Sequence, residues 1–227
     1  MSPAAGPAPM LRIAHRGDWR LAPENSLEAL VLADGIDGID GVEFDVRLSR
    51  DGVPVLLHDE TLERVQGRDD AVTDLMAAEL RGAGIPSLAE VLAALPKETF
   101  VDVELKGTGH GAATADALRA GRGKAPKRAV VSSFDEASLA AMKDLVPGWP
   151  RWLNALDLGA ETLTTATGLG CRAVAVQWKA ITPASLKGAR AAGLEVAAWT
   201  LTRPASVERL AGLGVIACCV EGAALDG

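Results

Sequence analysis

Cysteine is scarce and poorly spaced for bridging. The three thiols, Cys171, Cys218 and Cys219, are odd in number and none stands in a CxxC pair. That argues against a disulfide framework and for small buried side chains in a reducing compartment. Positive charge is in deficit, with 23 Lys and Arg against 30 Asp and Glu and a net charge of −7. A phosphate backbone is therefore not the natural partner, and nucleic acid is not expected. An acidic protein still binds an anion where a metal ion inverts the local field. No apolar run approaches the roughly 18 residues of a membrane span. The opening "MSPAAGPAPM" has neither a basic region nor an apolar core. Residues 1–10 are expected to form a flexible leader, not a secretory signal. These gaps point to a cytoplasmic protein without stable membrane association, and they leave its oligomeric state open.

What is present is a large apolar fraction, 48% against 23% charged residues, in a chain of 227 residues. That is enough for one sizeable domain. Eight β-rich runs follow in order: "LRIAH", "GVEFDVRL", "FVDVEL", "AVVSSF", "RWLNAL", "AVAVQW", "EVAAWTL" and "VIACCV". Between them lie Ala- and Leu-rich helical patterns such as "NSLEALVLA", "SLAEVLAAL", "DEASLAAMKDL" and "PASLKGARAAG". Asn25 and Ser87 are N-cap candidates, and Gly193 and Gly212 fit helix C-termini. Alternation of this kind predicts parallel βα units. A doubly wound sheet has the same pattern, but the count of eight and the lack of a GxGxxG turn favour a closed (β/α)8 TIM barrel, a single α/β domain over residues 11–227. The second unit is irregular. "DGVPVLLHDETL" predicts an extra strand or hairpin, followed by a polar connection over 60–86.

In such a barrel the chemistry sits at the C-terminal ends of the strands. His15 and Arg16 close the first run and should reach that face. Glu43 and Asp45 are two apart on the second strand, so both point to the same side, with Val42 and Phe44 on the other. The third repeats the pattern, with Glu104 and Lys106 on one face and Asp102 below them, more a structural position than a ligand. Buried carboxylates in a group repel one another and are costly to desolvate. A hard divalent cation, Ca²⁺ or Mg²⁺, removes that conflict, which makes Glu43, Asp45 and Glu104 candidate metal ligands. The competing reading is a layer of ion pairs with Arg16, Arg47 and Lys106. His58 ends "VPVLLHDE" at the same predicted face as His15, so the two imidazoles are candidates for general acid and base. Arg16 and Lys106 are candidate anion clamps. His110, in the Gly-rich "KGTGHGA", is expected to be a solvated loop residue.

In this combination and order the motifs resemble those of the glycerophosphodiester phosphodiesterase family. "HRGDWRLAPENSLEAL" is similar to its HRG and PEN signature, "GVEFDVRLSRDGVPVLLHDETL" to its paired carboxylates followed by DG and HD, and "VDVELKG" to its E-L-K segment. The resemblance implies a TIM barrel that hydrolyses small-molecule glycerophosphodiesters, with a divalent metal, to glycerol 3-phosphate and an alcohol. It implies His15 and His58 as the acid/base pair, Glu43, Asp45 and Glu104 as metal ligands, and Arg16 and Lys106 as phosphate-binding cations. It also makes room for attack by the substrate's own glycerol hydroxyl through a cyclic phosphate. Two departures stand out. The seventh strand ends "WTLT", with Thr202 where the family often has Asn, and "VIACCVEG" places Val220 and Glu221 where a Thr-Asp pair is common. Both put substrate range in question.

Trp199 is a candidate apolar wall for substrate, Phe134 could face the same pocket, and Trp19 could line its mouth. Trp178 is weighed as core, Glu24 as a support for Arg16, and Ser133 as a satisfied hydroxyl. Two other functions remain open. A lysophospholipase D or sphingomyelinase D-like activity is weakened by the lack of a basic amphipathic helix. A barrel that binds a phosphorylated metabolite without turnover is the non-catalytic alternative.

Overall fold

The structure, a computed structural model, describes residues 9–226. Of the expected leader, residues 1–8 lie outside the described residues. In chain order the elements are β1 (Leu11–His15), α1 (Leu27–Asp34), β2 (Gly41–Leu48), β3 (Pro54–Leu56), α2 (Glu63–Gln66), α3 (Ala77–Gly82), α4 (Leu88–Ala94), β4 (Phe100–Leu105), α5 (Ala112–Arg122), β5 (Ala129–Ser133), α6 (Glu136–Leu145), β6 (Arg151–Ala155), α7 (Ala160–Gly168), β7 (Ala173–Gln177), α8 (Pro183–Ala191), β8 (Glu195–Leu201), α9 (Pro204–Gly212) and β9 (Ala217–Val220). Eight strands pair in parallel in the ring β1-β2-β4-β5-β6-β7-β8-β9, and β9 returns to β1 to close it. This is the expected (β/α)8 barrel.

Strand parity separates two apolar layers. Val42, Phe44, Val46, Val101, Val103 and Val131 face outward and pack on Leu30, Leu92, Leu118 and Leu139 of the surrounding helices. The inward set is Ile13, Phe100, Val130, Trp152, Ala173, Ala175, Ala197, Ala217 and Cys219. Its composition is lopsided, with large side chains on β1, β4, β5 and β6 and alanines on β7, β8 and β9. Small side chains on one half of the barrel leave free volume above its floor, and that volume becomes the cavity described below. The three cysteines are unbridged and buried. Burial pushes the Cys171 thiol up to about 11 and the Cys218 thiol up to about 12, so both stay protonated and unreactive at neutral pH.

Several sequence expectations need correction. Ser87 caps α4 as expected, accepting from the Glu90 amide at 3.3 Å while the Glu90 carboxylate takes the Ser87 amide at 2.9 Å. Asn25 does not cap α1. Ser26 does so, accepting from the Ala29 amide at 3.1 Å, and Asn25 has a positive φ of 58° that frees its side chain for the barrel interior. Gly193 follows α8 in the left-handed conformation (φ 76°), but after α9 that role falls to Gly214 (φ 79°), since Gly212 is still helical. The insertion is a hairpin: β3 runs antiparallel to β2, with Val46 opposite Leu56 and Leu48 opposite Pro54. The stretch after it is more than a polar connection. Val55, Leu57, Leu62, Val72, Leu75, Leu80 and Ile85 form an apolar cluster of their own, which holds the segment bearing His58 against the barrel. No described helix is long and apolar enough to cross a membrane.

The turn after β1 is built around Gly17. Its φ is 81°, and a Cβ there would lie 2.5 Å from the Ala29 carbonyl carbon. Only glycine lets the β1–α1 turn come this close to α1. Gly17→Ala should lower stability by at least about 2 kcal/mol through clash and strain. In a domain of this size that is a melting-temperature drop of roughly 4–8 °C, readable by circular dichroism.

Candidate active site

The C-terminal ends of β1, β2 and β4, with the segment after β3, converge on one cavity of about 240 Å³. It is lined by His15, Arg16, Glu43, His58, Asp102, Glu104, Lys106 and Trp199, among others. Register sets the acids side by side: His15 lies opposite Glu43 across β1–β2, and Asp45 opposite Glu104 across β2–β4. Glu43, Asp45 and Glu104 are buried, and each offers one oxygen within 4.8 Å of the others.

Two cations meet this group. Lys106 Nζ lies 2.6 Å from Glu104 Oε1 and 3.2 Å from Asp45 Oδ1, and Arg16 Nε lies 3.1 Å from Asp45 Oδ2. Arg16 also donates to Glu24 at 2.9 Å, the support expected of that residue. Its backbone is held at φ 60°, and its amide donates to the Glu43 carbonyl at 2.9 Å and to the Glu43 carboxylate at 3.1 Å. A non-glycine residue in the left-handed region is uncommon and is tolerated where surrounding contacts over-determine it. The third cation of the ion-pair reading is not part of this layer. Arg47 donates instead to the His58 carbonyl at 2.9 Å.

The two cations outweigh burial at Asp45 but not at Glu43 or Glu104. Burial, then the charges of Asp45, Glu104 and Asp102, pushes the Glu43 carboxyl well above its ordinary range. Burial and Asp45 also raise Glu104. Burial pushes Asp102 up to about 7, while Ser132 donates to it at 2.6 Å. Burial would raise Asp45 too, but Lys106, Arg16 and the Asn25 amide outweigh it and hold that carboxyl below its usual value. Asn25 grips Asp45 twice: its amide donates to Oδ2 at 2.9 Å, and its carbonyl accepts from the Asp45 backbone at 3.0 Å. Glu43 Oε1 is buried with no partner among the described residues. An all-oxygen set with excess negative charge and an orphaned carboxylate oxygen fits a hard divalent cation.

Each histidine is anchored by a carboxylate of its own. His15 Nδ1 is 3.0 Å from Glu221 Oε2, and His58 Nδ1 is 2.6 Å from Asp59 Oδ1. The hydrogen bond from His15 is the main cause holding the Glu221 carboxyl below its usual value. An ionised carboxylate only accepts, so it fixes the proton on Nδ1 and leaves Nε2 of each ring for the cavity. Asp59 is tied to Arg64 at 2.6 Å, and Arg64 in turn to Glu24 at 2.6 Å. One ion-pair chain thus links the Arg16 and His58 sides of the site. Glu221, read from sequence only as a departure bearing on substrate range, is therefore the His15 anchor. Asp59 is a site residue that the sequence motifs do not single out, and its place directly after His58 is the signal that marks it.

Glu221→Gln should lower kcat roughly 10- to 100-fold with little change in KM, because the ring loses the anion that sets its tautomer. Steady-state kinetics on any turned-over substrate reads this directly.

The remaining candidates divide. Trp199 lines the cavity, its indole N–H held by the Ala175 carbonyl at 2.8 Å, and Phe134 meets it edge-on at 5.5 Å. Ser133 is satisfied by the Leu105 carbonyl at 2.6 Å. Trp178 packs on the core with Lys179 and Arg209 over its ring. Trp19 is exposed and outside the cavity lining. His110 corrects the sequence reading. It is 3% exposed, bonded to Thr114 Oγ1 and to the Lys106 carbonyl at 3.2 Å each. Burial lowers the pKa of its ring. It is a neutral fastener of the Lys106 loop.

The model of the Glycerophosphoryl diester phosphodiesterase family matches residues 15–222. The chain belongs to that family. Among its curated relatives is a glycerophosphodiester phosphodiesterase of Caldanaerobacter subterraneus subsp. tengcongensis, 29% identical, with 90% of this chain and 91% of the relative covered. A phosphodiesterase of Oleispira antarctica, solved in complex with the product sn-glycerol-3-phosphate, superposes with a TM-score of 0.80 at 26% identity over 93% of both chains. A glycerophosphodiester phosphodiesterase of Agrobacterium tumefaciens does so with a TM-score of 0.80 at 25% identity, covering 96% of this chain and 98% of that one. Family membership accounts for the order of the HRG, PEN and ELK segments along this barrel.

Proposed function

We propose that this family member hydrolyses glycerophosphodiesters to glycerol 3-phosphate and an alcohol, with a divalent metal ion, Ca²⁺ or Mg²⁺, held by Glu43, Asp45 and Glu104. The observation that carries the reading is the pairing of that buried acid cluster with two carboxylate-anchored imidazoles in one cavity. When bound, the ion acts as a Lewis acid on a phosphoryl oxygen and offsets developing negative charge. The chain's own groups do the rest. Arg16 and Lys106 orient the phosphate and stabilise charge on its oxygens. One imidazole accepts through Nε2 the proton of the attacking group, water or the substrate's own glycerol hydroxyl, and the other gives its Nε2 proton to the leaving alcohol oxygen; where the glycerol hydroxyl attacks, water then opens the cyclic phosphate with the two roles reversed, giving glycerol 3-phosphate. Trp199 and Phe134 offer apolar surface to the carbon chain. Two groups near the acid cluster that could act as nucleophiles, the Cys219 thiol and the Ser132 hydroxyl, are held unreactive. Burial and neighbouring acids push the Cys219 thiol far up, and Ser132 is bonded to Asp102.

A panel of water-soluble glycerophosphodiesters, assayed for glycerol 3-phosphate release with Mg²⁺, Ca²⁺ and Mn²⁺ in turn, tests the reading. Release that is lost with chelator supports it, and a panel with no hydrolysis under any metal overturns it. Micellar lysophospholipid turned over faster than every soluble diester would replace it with a lysophospholipase D activity.

A further inference from the structure

The halves of the site come from different parts of the chain. Arg16 and Glu24 stand in the turn between β1 and α1, and His58 and Asp59 in the insertion after β3. One side chain, Arg64 on α2, touches both. Its Nε donates to Asp59 Oδ2 at 2.6 Å, while its Nη1 and Nη2 donate to Glu24 Oε2 and Oε1 at 2.8 and 2.6 Å. The other oxygen of Asp59 is the one that meets His58 Nδ1, at 2.6 Å, and Glu24 Oε1 also accepts from Arg16 Nη1 at 2.9 Å. Arg64 is thus one carboxylate away from the His58 ring and one carboxylate away from the phosphate clamp.

An exposed arginine in an isolated ion pair ordinarily contributes little. This one differs in its partners and its geometry. Its guanidinium makes a bidentate fork on Glu24, which a planar group holds in a single orientation. Both acceptors are half-buried, and they join into a network. Burial would raise the carboxyls of Asp59 and Glu24, yet in each the bond from Arg64 is the largest opposing cause, and both end below their usual values. Only an ionised carboxylate is a pure acceptor, the property that fixes the proton on His58 Nδ1. Arg64 is not what fastens the insertion to the barrel. α2 buries none of its side chains, the apolar cluster around Leu62 and Leu80 does the fastening, and Arg47 separately holds the His58 carbonyl at 2.9 Å. Loss of the guanidinium would therefore leave the His58 backbone in place and free Asp59 and Glu24 to turn toward solvent.

We propose, resting on the phosphodiesterase reading, that Arg64 is a positioning residue for both halves of the reaction: it holds Asp59 against His58 and Glu24 against Arg16, so that one guanidinium sets the proton-transfer ring and the phosphate clamp together.

The test compares Arg64→Gln with the parent protein in the presence of metal. The kcat on glycerophosphoethanolamine should fall roughly tenfold or more, and the inhibition constant of glycerol 3-phosphate should rise several-fold. The melting temperature should stay close to the parent's, since exposed ion pairs add little stability. Asp59→Asn should reproduce the fall in kcat and Glu24→Gln the rise in the inhibition constant. Adding Arg64→Gln to either should cost little more in that same quantity, because the paired residues act through one contact. Ring nitrogen chemical shifts of neutral His58, assigned against His58→Ala, read the first effect without turnover: the parent should carry its proton on Nδ1, and Arg64→Gln should show a mixture of tautomers. Arg64→Lys serves if the glutamine variant does not fold, because one ammonium lacks the fork that spans both carboxylates. Kinetic constants equal to the parent's, loss of only one of the two functions, losses that add in the double variants, an unchanged ring tautomer, or a rate loss that tracks a fall in melting temperature overturns the proposal. Parent protein that hydrolyses no glycerophosphodiester overturns the phosphodiesterase reading instead, and the ring tautomer still decides for or against Arg64.

Discussion

Replacing either His15 or His58 with alanine should lower kcat by about 10²–10⁴-fold, the range over which a positioned acid or base acts. Neither ring touches the acid cluster closely. His15 Nε2 is 3.9 Å from Glu43 Oε2, and His58 is bonded to Asp59 on the insertion side. Metal affinity should therefore change little in either variant, and the melting temperature should stay near that of the parent. The double variant should lose scarcely more than the worse single one, because a proton-transfer pair acts as a unit. Single-turnover kinetics beside metal titration separates this outcome from general damage. A ring that only packs would cost stability and leave the rate within a few-fold.

Divalent ion should raise the melting temperature far more at high pH than at low. Glu43 sets the sign. In the ion-free chain its carboxyl is raised well above the ordinary carboxylate range, first by burial and then by its acidic neighbours. Such a group favours the folded state at low pH, where it is protonated in both states. That contribution is lost as pH climbs from the ordinary range toward the raised value. Coordination needs the ionised form, so metal affinity climbs over the same interval. Asp45, held low by Lys106 and Arg16 against its own burial, stays ionised throughout. At about pH 8 an ion at a hundredfold excess over its dissociation constant adds about 2.7 kcal/mol, a gain of roughly 5–10 °C for a domain of this size. At about pH 5 the gain should shrink to a small fraction of that. Glu43→Gln should abolish most of the ion's stabilising effect at both pH values, because it removes one of the three ligands. Differential scanning calorimetry at the two pH values measures this.

The barrel was legible because its signals are periodic. Strand runs such as "LRIAH", "GVEFDVRL", "FVDVEL" and "EVAAWTL" coincide with β1, β2, β4 and β8, since a buried parallel strand must be apolar along its outward positions. Parity then put Glu43, Asp45 and Glu104 on the inner face with no knowledge of the fold's dimensions. What escaped depends on contacts between distant segments. Asn25 looks like a helix cap because caps are local, yet its partner is Asp45, twenty residues away in sequence. Glu221 is bound to His15 from the last strand's end, a pairing that only barrel closure creates. His110 is a different case: it sits in a Gly-rich run that reads as solvated loop, yet the loop is folded back so that the buried ring bonds the Lys106 carbonyl and Thr114 Oγ1, each four residues away in sequence. The apolar cluster between β3 and α4 was hidden for a related reason. Beyond the short run that holds Val55 and Leu57, its members are spread among polar and small residues, so no periodic pattern marks them.

The central claim is that Glu43, Asp45 and Glu104 share one divalent ion on which turnover depends. Chelator-treated protein should be inactive on glycerophosphoethanolamine. Release of sn-glycerol 3-phosphate should rise with added Mg²⁺ or Ca²⁺ and saturate at one bound ion per chain, and Glu43→Gln should neither bind that ion tightly nor recover. Full activity in excess chelator, or undiminished ion binding and turnover in Glu43→Gln, would contradict it.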